Sequence, residues 1–227
     1  MLQAIQDFLA AVEVAVYQAG AMKKIDSKAL FSAIRKHENV TVRTLLADNP
    51  ALLNGCASSP PKKDDGQSPL QVAFKTGNFE MAAHLIDLGA NIHFMEESEI
   101  NEWRTPVLHD ALRATVFSAC DGKLILDRGN FTAAVTLVRR LLNLGADPNA
   151  VDSYGNSALL RTLMDSRQRL SLDPGFPDRV ENETLNRDLR EIFEALLAAG
   201  ADIHANHPER ESAAVFAKQP ALAQLIQ

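Results

Sequence analysis

Three segments of this chain carry the same run of residues. Leu85-Ile86-Asp87-Leu88-Gly89-Ala90-Asn91-Ile92-His93 returns as Leu141-Leu142-Asn143-Leu144-Gly145-Ala146-Asp147-Pro148-Asn149, and again as Leu196-Leu197-Ala198-Ala199-Gly200-Ala201-Asp202-Ile203-His204. Self-similarity at a wide, regular spacing is the mark of stacked units, each burying its apolar face only against its neighbours. Within a copy the leucine pair belongs to the buried end of a helix. The glycine supplies the left-handed cap that stops that helix, and the turn after it leads the chain away. The chain is therefore expected to fold as an array in which each copy closes one unit and opens the next.

With the Gly-Ala pairs aligned, the residues ahead of them fall into register. Gly66-Gln67-Ser68-Pro69-Leu70-Gln71-Val72-Ala73 opens one unit, and Gly77-Asn78-Phe79-Glu80 turns into its second helix. Pro106-Val107-Leu108-His109-Asp110-Ala111 and Asp152-Ser153-Tyr154-Gly155-Asn156-Ser157-Ala158-Leu159 are weaker versions of the same opening. The first of these resembles the Gly-x-Thr-Pro-Leu-His-x-Ala start of an ankyrin repeat, and the resemblance covers roughly residues 28–227. It implies an all-α solenoid of helix–turn–helix units with short β-turn or hairpin fingers. The expected organisation is an N-terminal capping helix over 1–27 and one repeat domain over 28–227. That domain has about five units, at 28–55, 66–93, 101–149, 152–204 and 207–227.

The spacing departs from the family pattern. An ankyrin unit repeats at about 33 residues, whereas the Gly-Ala pairs at 89, 145 and 200 lie 56 and 55 apart. About 23 and 22 residues beyond the period of about 33 are placed at 113–130 and 165–187, between the two helices of adjacent units. The two inserts are expected to lie side by side, with Phe117, Leu124, Ile125 and Leu126 facing Leu170, Leu172 and Phe176. Insertions within repeats map to one face, often the binding face.

Residues 1–25 place Leu2, Ile5, Leu9, Val12, Val16, Ala19 and Met22 at helical steps, with Phe8 widening the stripe. Asp7 and Glu13 break the apolar run a signal peptide needs, and no run reaches the ~18 residues of a membrane span. Capping the open end of the stack is the expected role, with a partner-binding or membrane-surface helix and an atypical export signal as alternatives. The expected compartment is the cytoplasm. A formal charge of −6 argues against nucleic acid, since phosphate neutralisation needs a surplus of lysine and arginine. It suits a basic partner only weakly.

Catalytic signals are sparse. Cys56 and Cys120 lack zinc spacing and lie in separate units, which points to free thiols. His204-x-x-His207 is the only close histidine pair and has no third ligand nearby in sequence. By resemblance, His93 and His204 hold the place of an asparagine that braces the turn, and His109 that of the histidine linking neighbouring turns. Gly122-Lys123 lacks the rest of a phosphate loop, and no Gly-x-Ser-x-Gly elbow occurs. Asp64-Asp65 and Glu96-Glu97 read as solvated charge in exposed turns. No catalytic residue, cofactor or metal is expected.

The family's fingers and first helices line a concave groove that contacts partners. Carried over by position, that groove here presents Lys75, Trp103, Arg104, Arg113, Ser153, Tyr154, Asn156 and Met164. Phe94, Met95 and Glu97 stand at the root of an acidic finger. Trp103 reads either as an anchor of binding or as filler beneath its finger. The resemblance implies a monomeric, non-enzymatic module that binds one specific protein, without nucleic acid or membrane. Within that reading stand a stoichiometric inhibitor and, because bacterial toxin-neutralising proteins include ankyrin-type members, an immunity protein. A host-directed secreted effector, or a ligand or enzymatic pocket between the inserts holding His109, Cys120 or Arg161, are the rivals.

Overall fold

The computed structural model describes residues 26–58, 61–119, 128–205 and 207–227. The proposed capping helix, Cys120 and Leu124–Leu126 lie outside the described residues. The chain forms ten helices among those described: α1 (26–35), α2 (Asn39–Asp48), α3 (Pro69–Lys75), α4 (Phe79–Asp87), α5 (Val107–Ser118), α6 (Arg128–Asn143), α7 (Ala158–Leu170), α8 (Glu183–Ala198), α9 (Ala213–Phe216) and α10 (Pro220–Ala223). They stack in two rows. Inner helices α3, α5, α7 and α9 pack in series, as do outer helices α4, α6 and α8. The described residues contain no sheet; with each finger numbered by the unit it opens, isolated antiparallel bridges at Met95–Pro106, Val151–Ser157 and His207–Arg210 close the third, fourth and fifth fingers, and the second finger holds Gly66.

The three sequence copies become three identical helix ends. The amide of Gly89 donates to Ile86 O and that of Ala90 to Leu85 O, both at 3.0 Å. Gly145 and Ala146 do the same to Leu142 and Leu141, and Gly200 and Ala201 to Leu197 and Leu196, again at 3.0 Å. These are paired caps of the helix's last free carbonyls. They require the left-handed backbone found at all three glycines, with φ of 85°, 95° and 92°. Leu85, Leu141 and Leu196, which supply the innermost carbonyls, are fully buried. One local rule thus fixes helix end, core contact and exit direction together.

Helix starts are set with equal economy. Ser68 caps α3 with a reciprocal box: its hydroxyl accepts from the Gln71 amide and Gln71 Oε1 accepts from the Ser68 amide. Ser157 caps α7 and Asn182 caps α8. At α5 the pattern slips by one residue. Pro106 occupies the cap position itself, so no side-chain cap forms there.

Longer helices supply part of the extra length of the two long units. α5 and α7 have 12 and 13 residues against 7 in α3, and α6 and α8 have 16 against 9 in α4. The distal ends of α5 and α7 are joined by Arg169, whose Nη2 donates to Ala119 O at 3.1 Å. Beyond α7 the chain folds around Asp173, whose carboxylate accepts from the amides of Gly175, Glu181 and Asn182. This loop docks on the C-terminal unit, where the Ala221 amide donates to Pro177 O at 3.1 Å. Leu170 is buried and Phe176 packs on the core, but Leu172 stands 84% exposed and Phe117 42% exposed. Leu172 therefore does not make the expected cross-insert contact, because the Asp173 turn directs it to solvent.

Candidate partner-binding groove

The fingers and inner helices bring charged and aromatic side chains together from four stretches of chain. Trp103, on the third finger, donates from Nε1 to Asp152 Oδ2 at 2.8 Å. Arg161 of α7 lies over its ring at 4.4 Å and Arg113 of α5 at 5.8 Å. Both arginines converge on Asp165, whose side chain is 2% exposed; Arg161 Nη2 reaches it at 2.9 Å and Arg113 Nη1 also bonds it. The Arg113 guanidinium also lies over the Phe117 ring, 4.9 Å from its centroid. Trp103 is thus half-buried in a cation–carboxylate block, serving as brace as well as surface.

The third and fourth fingers are stitched beside it. The Ser153 amide donates to Arg104 O, the Arg104 amide to Ser153 Oγ, and Ser153 Oγ to Glu102 O, at 2.8–2.9 Å. Asp152 accepts from the amides of Tyr154 and Asn156 and from Asn156 Nδ2. Despite its burial, these donors and Trp103 hold its carboxyl below the usual range. Asp165→Ala is expected to leave two arginines facing each other around an empty site. The cost should be about 2 kcal/mol, less than for a fully buried pair because Arg113 is partly solvated. A fall in Tm of roughly 4–8 °C would register it.

Of the groove residues expected from sequence, Lys75, Arg104, Ser153 and Tyr154 are exposed, and Trp103, Arg113 and Met164 half-buried. Met95 and Glu97 are exposed on the finger. Phe94 and Asn156 are not surface groups. Phe94 belongs to the core, and the Asn156 amide is turned inward to Asp152. Tyr154 borders two clefts. One, with Leu160, Arg161, Met164, Arg210 and Phe216, lies before α7 and α9; the other lies before α3 and α5.

The acidic pairs are not wholly solvated either. Asp64 is 1% exposed, held by Arg35 at 2.8 Å with Lys75 at 3.5 Å, and Glu96 is 5% exposed beside Gln67 Nε2 at 3.2 Å. Each acidic pair sends one carboxyl inward. The brace at the repeat turns is the Asx residue ahead of His93 and His204. Asn91 Oδ1 and Asp202 Oδ1 accept from their amides, while both histidine side chains are exposed. Asn149 is the residue that links turns, bonding Asp202 N at 2.7 Å and Gly200 O at 3.0 Å.

His109 meets expectation by bonding Ala150 O through Nε2 at 3.0 Å. Gln71 does the equivalent one unit earlier, donating to Thr105 O at 2.8 Å. Burial keeps the His109 imidazole below its ordinary pKa. Burial and the neighbouring Glu97 push the Cys56 thiol up to about 11, the opposite of an activated nucleophile. The described residues contain no group of three potential metal ligands and no helix long and apolar enough to cross a membrane.

Residues 65–96 match the family model described as ankyrin repeat. The chain carries an ankyrin repeat over these residues. The match spans α3, α4 and the start of the third finger, the unit whose caps and glycines follow the pattern most closely. No curated protein matches the chain. An ankyrin repeat is a protein-interaction module, and the groove lies on the side of the stack formed by its fingers and inner helices.

Proposed function

We propose that this ankyrin-repeat protein binds one specific protein partner through the groove and the lengthened units, without catalysis, and blocks that partner by stoichiometric occupation. Neutralisation of a toxin is the form of inhibition suggested by analogy with ankyrin-type immunity proteins. The observation that supports it best is the row of exposed Lys75, Arg104, Tyr154 and Arg210, interleaved with half-buried Trp103 and Met164 and set on a braced scaffold. Aromatic and arginine side chains dominate interface energetics, and a preformed scaffold reduces the ordering cost of binding. His109, the candidate acid–base group within the described residues, is 2% exposed and neutral in character. Arg161 is engaged with Asp165 and Trp103.

Affinity purification from the native cell, followed by native mass spectrometry, tests the proposal. The expected product is a one-to-one complex that survives Arg190→Ala on the outer face of α8. Tyr154→Ala should weaken it by about 2 kcal/mol if Tyr154 is an anchor. A complex indifferent to Tyr154 but lost with Arg190 would refute the groove.

A further inference from the structure

A cleft of about 390 Å³ opens in the groove before α3 and α5. Asp110, 7% exposed, forms its floor. Both hydrogen bonds that reach this carboxyl go to Oδ2, from Gln71 Nε2 at 2.8 Å and Thr105 Oγ1 at 3.0 Å. None goes to Oδ1. Glu96, 5% exposed, supplies a second carboxyl to the same cleft.

No neighbouring cation makes an ion pair with either carboxyl, although the charge of Lys75 acts on both. Lys63, Lys75 and Arg113 line the cleft. Lys75 Nζ is drawn to Lys63 O, to Gln67 Oε1 at 3.2 Å and toward Asp64 at 3.5 Å, while Arg113 is bound to Asp165. Asp64 and Asp165 are not part of the cleft lining. Among the described residues neither Glu96 nor Asp110 makes an ion pair, and Lys63 stands exposed at the margin. Two carboxyl groups therefore share a poorly solvated recess, with a free oxygen on its floor. Trp103, Tyr154 and Ile100 form its aromatic and apolar rim.

We propose that this cleft receives an arginine side chain of the partner protein, its guanidinium set between the carboxyl groups of Asp110 and Glu96. The inference rests on the groove being the binding face. A guanidinium offers donors in a planar fork to two carboxyls and a flat face to an aromatic rim, which the point charge of lysine cannot match. Burial and the charge of Glu96 raise Asp110 to about 7, so below that pH the guest must also displace a proton. The charged groups around Asp110 are Glu96 on the finger and Lys75 on α3, with Lys63, Glu102 and Arg113 around the rim. Of these, Glu96 is likewise raised by burial.

Trp103 is the sole tryptophan and lines the cleft, so its fluorescence reports occupancy directly. The probes are Nα-acetyl-arginine methylamide and its lysine and glutamate counterparts, titrated into the full chain. The arginine probe should give a saturable change at pH 8 that weakens about threefold or more at pH 6 as Asp110 takes up a proton. The lysine probe should bind about fivefold more weakly and the glutamate probe not at all. Asp110→Asn should weaken the arginine probe about tenfold and abolish the pH dependence. A glutamate probe that binds as well, or an arginine response unchanged in Asp110→Asn, overturns the assignment. Carbon-13 spectra of the wild-type Asp110 carboxyl guard against a folding defect in the variant: an unmoved resonance on adding the arginine probe also overturns it. Failure of the probes while the Tyr154-dependent complex persists sinks the arginine site alone; loss of that dependence sinks the groove.

Discussion

Gly66→Ala should destabilise the chain on the order of 4 kcal/mol, whereas Gly89→Ala should cost about 1–2 kcal/mol. Both glycines have positive φ, 75° and 85°, so both substitutions carry the left-handed penalty. They differ in surroundings. A Cβ on Gly66 would lie 2.0 Å from the Ser98 amide nitrogen and 2.4 Å from its Cα, all rigid backbone, while one on Gly89 meets nothing within 4 Å. Gly66 also accepts from the Glu97 amide at 2.9 Å, so the clash would pry the second finger from the third. Urea unfolding of the two variants side by side checks the contrast. Equal losses would mean that finger contact contributes nothing beyond backbone strain.

Asp110 should dominate the pH dependence of stability. Its carboxyl rises from 3.8 to about 7 in the fold, chiefly through burial. Between these values the folded protein retains a proton that the unfolded chain has released, so stability falls as pH rises from about 4 to 7. Such a rise corresponds to a loss on the order of 4 kcal/mol. His109 and His84 act in the opposite sense. Their folded pKa lies below the ordinary value of 6.5, so the unfolded chain takes up protons first and stability rises with pH toward that value. The difference between wild type and Asp110→Asn isolates the carboxyl. Asparagine keeps an oxygen for Gln71 and Thr105, and the variant should be the more stable protein at pH 8. Parallel stability curves from pH 4 to 8 would contradict this account of Asp110.

The repeat ends were legible in the sequence because their physics is local. A glycine four residues beyond a buried leucine specifies the cap without knowledge of any other unit. The charged interior was not legible in the same way. Asp64-Asp65 and Glu96-Glu97 are adjacent letters, and which carboxyl turns inward depends on Arg35 and Gln67, brought in from other units. The histidines at 93 and 204 drew attention by chemistry, although the bracing atoms belong to Asn91 and Asp202 two residues earlier. The groove's central block carried one readable signal, Arg161 and Asp165 at helical spacing of four. Its other members, Trp103 and Arg113, join only through stacking of units. Phe94 is core rather than surface because the root of a finger packs inward while its tip is exposed, and a linear reading locates the finger without its depth.

The central claim is that partner recognition belongs to the finger-and-inner-helix side of the stack. A photo-crosslinking amino acid placed at Tyr154, and in a separate chain at Arg190 on the outer face of α8, tests it in the native cell. The account predicts one discrete adduct of a single partner from position 154 and none from position 190. Adducts from 190 alone would contradict it.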